Sequence, residues 1–201
     1  MAGESSVTVG GKLLHLWDRV VGASTVSDEF VLPGEYPYPS YTVVTDGGVA
    51  LATANSHLLQ VMAGATNHLR VRRITISALG VPAAVTAMEI QIVRILTTAG
   101  TGGTAKTPRR MVSADAAAGA TAMTLPTVKG TEGDIWLSRG VIWGTAALPL
   151  PKPEFDWVQQ PNEEPFLIAA GITNGFVVKN ITGVATATVI VSVELVETSF
   201  V

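Results

Sequence analysis

The chain has 201 residues, of which 47% are hydrophobic and only 14% charged, and it carries a net charge of −3 and no cysteine. The missing thiols exclude a disulfide framework and a thiolate metal site. The weak negative balance argues against nucleic acid as a partner, since binding a phosphate backbone needs clustered lysine and arginine. Soluble domains carry roughly 25% charged residues, so much of this surface must be small and polar or lie against other subunits, which favours an assembled protein.

At this length the chain suits one β-domain with appendages, or at most two small domains. Met1 to Ser6 lacks the basic and apolar regions of a signal peptide, so synthesis in a cytoplasm is expected. Residues 1–55 read as an extended N-terminal arm or strap. Leu13-Leu14-His15-Leu16-Trp17 forms a short apolar patch between Gly11 and Asp18-Arg19. Further on, Pro33, Pro37 and Pro39 forbid a helix and favour an extended path. The three tyrosines of the chain, Tyr36, Tyr38 and Tyr41, all fall here. The segment lies either as a strap over the side of its own domain or as an arm on a neighbouring subunit, with aromatics as anchors. Leu16, Trp17, Tyr36, Tyr38 and Tyr41 are therefore candidate partner-interface residues.

Residues 56–201 read as a β-sandwich, jelly-roll-like, of about eight strands. His57–Met62 is a short strand. Leu69 to Arg72 alternates, then Arg73 to Ser77 alternates in the opposite phase, a slip that predicts a β-bulge near Arg72-Arg73. Further strands are expected at 88–96, 120–125, 134–143, 166–170, 175–180 and 185–197. The last is the clearest: Val189, Val191, Val193 and Leu195 are apolar while Thr186, Thr188, Ser192 and Glu194 alternate with them, the period of a half-buried strand. Gly and Pro punctuate between these runs, and residues 112–122 read as a small-residue loop. The Pro-rich stretch 148–165 holds five of the eleven prolines and reads as a rigid crossover or a functional loop. Its Phe155 and Trp157 join the candidate interface residues. The longest apolar runs fall short of the roughly 18 residues that suggest a membrane span, so no membrane partner is expected.

The residues of enzyme chemistry do not gather, and the sequence marks no catalytic, cofactor or metal site. Gly100-Thr101-Gly102-Gly103-Thr104-Ala105-Lys106-Thr107 nearly matches a phosphate-binding loop. However, Ala105 replaces the glycine before the lysine, and Pro108-Arg109-Arg110 follows where a helix should start. His15, His57 and His68 show no metal-ligand spacing; His57 and His68 flank one hairpin region. Asp28-Glu29 and Glu163-Glu164 are adjacent pairs in loop-like context, poorly placed for acid–base work across a sugar. Asn180-Ile181-Thr182 fits a glycosylation pattern but has no secretion signal behind it. Arg70 and Arg72 should share an exposed strand face. The four tryptophans are too spread for a sugar platform, and Trp136 and Trp143 should face opposite ways unless a bulge intervenes at Gly140.

The run Leu69-Arg70-Val71-Arg72-Arg73-Ile74-Thr75-Ile76, with Ile92 to Pro108 and Gly171-Ile172-Thr173-Asn174-Gly175 beside Pro165-Phe166-Leu167-Ile168, resembles small virion proteins of tailed bacteriophages. The resemblance covers about residues 57–197 and leaves out the N-terminal arm. It implies a jelly-roll or β-sandwich subunit of the head decoration or cement type, often trimeric, with no catalytic residue. The expected partners are the major capsid protein of the same phage and further copies of the chain. The expected location is the capsid surface, after synthesis in the bacterial cytoplasm. A receptor- or glycan-binding module of a head fibre or tail is the alternative.

Overall fold

The computed structural model describes residues 3–9, 12–21 and 24–29 as backbone, and 38–147, 154–160 and 166–198. Every regular element among them is a strand. The chain divides into two units, Met1–Pro37 and Tyr38–Val201.

In the first unit β1 (Gly3–Val9), β2 (Lys12–Val21) and β3 (Ser24–Glu29) form an antiparallel sheet in that order. Glu4 pairs with Trp17, and Leu16 with Glu29. This corrects the reading of residues 1–55 as one extended arm. Two residues separate β1 from β2 and β2 from β3, the spacing of antiparallel hairpin partners.

The second unit begins 17 residues before position 55, at Tyr38. In chain order its strands are β4 (Ser40–Val44), β5 (Val49–Ala50), β6 (His57–Met62), β7 (His68–Ala78), β8 (Thr86–Ile95), β9 (Thr104–Lys106) and β10 (Arg109–Arg110). There follow β11 (Thr121–Thr124), β12 (Glu132–Trp143), β13 (Glu154–Val158), β14 (Phe166–Ile168), β15 (Gly175–Asn180) and β16 (Thr188–Thr198). Seven of them make one antiparallel sheet, ordered β10-β4-β16-β7-β13, with β14 also on β7 and β5 on β16. Six make the other, ordered β12-β8-β15-β6-β11-β9. The unit is an all-β sandwich, as its alternation predicts.

The core lies between the two sheets. Tyr41, Val43, Ile74, Ile76, Val191 and Val193 from the first meet Leu59, Val61, Ile90, Ile92, Phe176 and Val178 from the second. In β16 the odd positions Val189 to Leu195 are buried and the even ones half-buried. That is the pattern of a central strand with one face on the core. The bulge in β7 is present: Arg73 pairs with Glu194 and Val71 with Leu195, so Arg72 is the additional residue and Leu69 and Ile74 both reach the core.

β4 inserts between β10 and β16 and delivers Tyr41 and Val43, at 1% and 0% exposure. A protein truncated at Pro37 is therefore expected to keep the β-sheet circular dichroism spectrum and a cooperative melt. Truncation at Thr45 removes a whole strand and two buried side chains, each costing about 2–5 kcal/mol, and is expected to abolish the melt. Equal melts for the two truncations would contradict the boundary at Pro37.

Outside the six-stranded sheet, residues 96–103 and 125–131 run over its outer face. They are joined by Thr101 and Val128, whose N–H groups donate to each other's carbonyls at 2.9 and 3.1 Å. Beneath them Met62, Val93, Ile95 and Val177 form a second buried cluster. Thr97 and Leu125, where these segments leave their strands, hold left-handed φ values of 60° and 47°.

Candidate functional site

Three places in the sandwich bear on function, and the first two depend on a local irregularity of a strand. The first is on the outer face of the six-stranded sheet. Val178 pairs with Leu59 but Lys179 pairs with His57, so Leu58 is an additional residue. The bulge turns Leu58 and Leu59 both inward and sets His57 on the outer face beside Lys179. β12 carries register shifts of its own between Glu132 and Leu137. There Glu132 Oε1 lies 2.8 Å from His57 Nε2, and Lys179 Nζ donates to Glu132 Oε2 at 2.7 Å.

The His57 side chain is 0% exposed and its Nδ1 has no partner. One ring nitrogen is held by Glu132 and the other is sealed in the protein, so the arrangement acts as an electrostatic staple between β6, β12 and β15. Burial pushes the imidazole below its ordinary value, against the pull of Glu132. Burial alone would raise the Glu132 carboxyl, but hydrogen bonds from His57 and Lys179 outweigh it and hold the group below the ordinary range.

The sign of the resulting pH dependence follows. As pH falls through about 6.5 the unfolded imidazole takes up a proton that the native one resists, so stability is lost from there downward. The Glu132 carboxyl adds a further loss below about pH 4.3. The melting temperature is therefore expected to fall between pH 7.5 and 5. In His57→Gln, whose amide can still donate to Glu132, this limb should flatten; an unchanged slope would remove His57 as its source.

The second place is aromatic. Trp157 on β13 stacks on Phe166 on β14 with centroids 4.3 Å apart and planes at 11°, and Phe166 stacks on Trp136 of β12 at 4.8 Å and 18°. Phe176 lies 6.4 Å beyond Trp136. Trp136 is the additional residue of a bulge, since Ile135 pairs with Val93 and Leu137 with Ile92. Trp136 and Trp143 consequently both pack on the core. The slip lies at Trp136, and Gly140 sits in regular register opposite Glu89. Two tryptophans distant in sequence thus cover both faces of Phe166 and close this side of the sandwich.

The third place is the glycine-rich segment. Thr104–Lys106 is strand β9, paired with β11, and the next element is β10. Gly100 donates its N–H to Gln60 Oε1 at 3.0 Å, and a side chain at Gly100 would meet that oxygen at 2.8 Å. A side chain at Gly103 would meet the Thr124 carbonyl at 2.4 Å. Close backbone packing accounts for these two glycines, and a phosphate cradle is not needed to explain them.

Of the candidate interface residues, Tyr41 and Phe155 are buried at 1% and 3% exposure, and the Tyr41 hydroxyl donates to the Ala116 carbonyl at 3.0 Å. Burial raises the pKa of that hydroxyl, with Glu197 and Asp115 adding to the effect. Tyr38 and Trp157 are half-buried. Leu16 and Trp17 lie in β2, where only the backbone is described, and Tyr36 lies outside the described residues. So do Glu163 and Glu164.

His68 accepts a hydrogen bond from the Ala170 N–H at Nδ1, at 3.3 Å, and does not join His57. Arg73 forms a two-pronged pair with Asp156 at 2.9 and 2.7 Å. Asn180 is fully buried with its amide committed to the fold, which explains the glycosylation-like triplet as a structural one. Sequence reasoning missed Glu132, Lys179, Asn180 and Glu197. Apart from the Thr182 carbonyl beside Asn180, their partners lie more than 40 residues away, and strand bulges help bring Glu132 to His57. Comparison with known proteins finds no matching family model, curated protein or solved structure.

Proposed function

We propose that this chain is a non-enzymatic structural protein of a tailed-phage virion, of the head decoration type, that binds the outer capsid lattice and associates with copies of itself as a trimer. The observation that carries the reading is how the buried polar groups of the sandwich are used. Glu132, Asn180 and Glu197, with their partners, tie loops and strands together, while large apolar side chains stand exposed on the loops. Leu79, Val81 and Val85 in the β7–β8 connection are 54%, 43% and 47% exposed, and Ile142 beside it on β12 is 62% exposed. Grouped exposure of this kind marks contact surface.

The low charge of the chain and its division into two β units suit repeated contacts about a symmetry axis, where modest contacts add through avidity. The sequence resemblance supplies the particle. Size-exclusion chromatography with light scattering tests the self-association. A mass near three times 20.9 kDa is expected, and a monomer across the whole concentration range would remove the trimer from the proposal.

A further inference from the structure

A groove of about 700 Å³ runs along the side of the sandwich between β9, the end strand of the six-stranded sheet, and β10, the end strand of the other. Ala105, Ala117, Ala118, Ala120 and Ala122 give it a lining of small apolar side chains. Its charged lining residues are Lys106, Arg109 and Arg110, with no carboxylate among them.

That positive charge is largely available. Lys106 makes no ion pair among the described residues. Arg109 reaches Asp46 at 3.0 Å, but the two side chains are 70% and 56% exposed, so water screens the pair and a competing carboxylate can displace it. Arg110 is steadied by the carbonyls of Ser113 and Asp115, at 3.3 and 2.7 Å, which leaves its charge uncancelled. The Asp115 carboxylate faces the Ser40 N–H at 3.4 Å. Beyond Arg110 the apolar surface continues through Met111 and Val112, 53% and 54% exposed.

We propose that this groove docks an extended acidic segment of a partner protein, one that alternates carboxylates with large apolar side chains. Each part of the occupant answers a feature of the site. Among the described residues no strand lies beyond β9 or β10, so their outer backbone groups match an added strand. A helix satisfies its own backbone and leaves these edges unmatched. The alanine lining makes room for leucine- or phenylalanine-sized side chains, and the three cations select carboxylates. The inference goes beyond the assembly reading and stands on the groove whatever particle the chain belongs to.

The test uses the full chain and a fluorescein-labelled peptide alternating glutamate with leucine, followed by fluorescence anisotropy at low and moderate salt. Saturable binding that weakens with salt is expected. Lys106→Glu combined with Arg109→Glu should weaken it at least about tenfold, with the β-sheet circular dichroism spectrum and a cooperative melt retained, because neither side chain belongs to the core. Ala117→Trp fills the groove from an exposed position without altering charge and should weaken binding as well. Three outcomes would overturn the proposal: no saturable binding, equal affinity for a peptide with lysine in place of glutamate, or wild-type affinity in both variants.

Discussion

Asn180→Ala is expected to lower the melting temperature more than any surface change. The residue sits at 0% exposure on β15 and uses both ends of its amide. Its Oδ1 accepts from the Ser56 N–H at 3.0 Å and from the Ser56 hydroxyl. Its Nδ2 lies within donating distance of the carbonyls of Leu51, Thr53 and Thr182, at 3.1, 3.1 and 3.3 Å. One side chain thereby closes the long 51–56 connection onto the six-stranded sheet. Alanine leaves Ser56 and several carbonyls without partners in a region closed to water, a loss of about 4 kcal/mol. For a domain of this size that corresponds to roughly 8–16 °C in calorimetry. Asn180→Asp keeps the acceptor but turns a carboxylate toward carbonyl oxygens, and should be at least as damaging. A drop of less than about 3 °C in both variants would show that the loop is closed by something else.

Glu197→Ala is the second large effect, and it reaches the groove. Glu197 is 2% exposed near the end of β16. Its carboxylate accepts from the N–H groups of Ala120 and Gly119 at 2.6 and 3.1 Å, and from Asn67 Nδ2 at 3.2 Å. It therefore pins the 111–120 segment, whose alanines form one wall of the groove, to the central strand of the seven-stranded sheet. Charge-assisted bonds of this kind are worth about 1.5–3 kcal/mol each. Removal is expected to cost about 3 kcal/mol in total, because the loop can open to water and recover part of the loss. Hydrogen exchange at residues 116–120 should accelerate while exchange in β7 and β15 shifts only with global stability. Glu197→Gln, which keeps one acceptor oxygen, should lie between the two. Uniform acceleration across the whole sandwich would contradict a local pin.

The fold was legible where burial is one-sided. β16 showed its alternation and the phase slip at Arg72-Arg73 announced the bulge in β7, because alternation reports which face meets the core. β6 and β15 match the expected ranges although both of their faces are buried. Residues 1–55 were less legible, because β1, β2 and β3 are separated by only two residues each and carry weak alternation. The prolines of this segment hid β4, a strand of only five residues starting right after Pro39. The site was far less legible. The bulges at Leu58 and Trp136 each reverse a parity that sequence alone would assign, and this is what carries His57 to Glu132 and Trp136 to Phe166. A carboxylate or amide that satisfies backbone groups far along the chain, as Glu197 and Asn180 do, leaves no local spacing to read.

Attachment to a capsid lattice is the core of the proposal, and cosedimentation of the purified full chain with expanded capsid shells of its proposed parent phage is the measurement to make. Saturable binding at a fixed number of copies per lattice site is expected, with shells that resist heating better once covered. Binding no greater than that of an unrelated β-sandwich, with no change in shell stability, would contradict it.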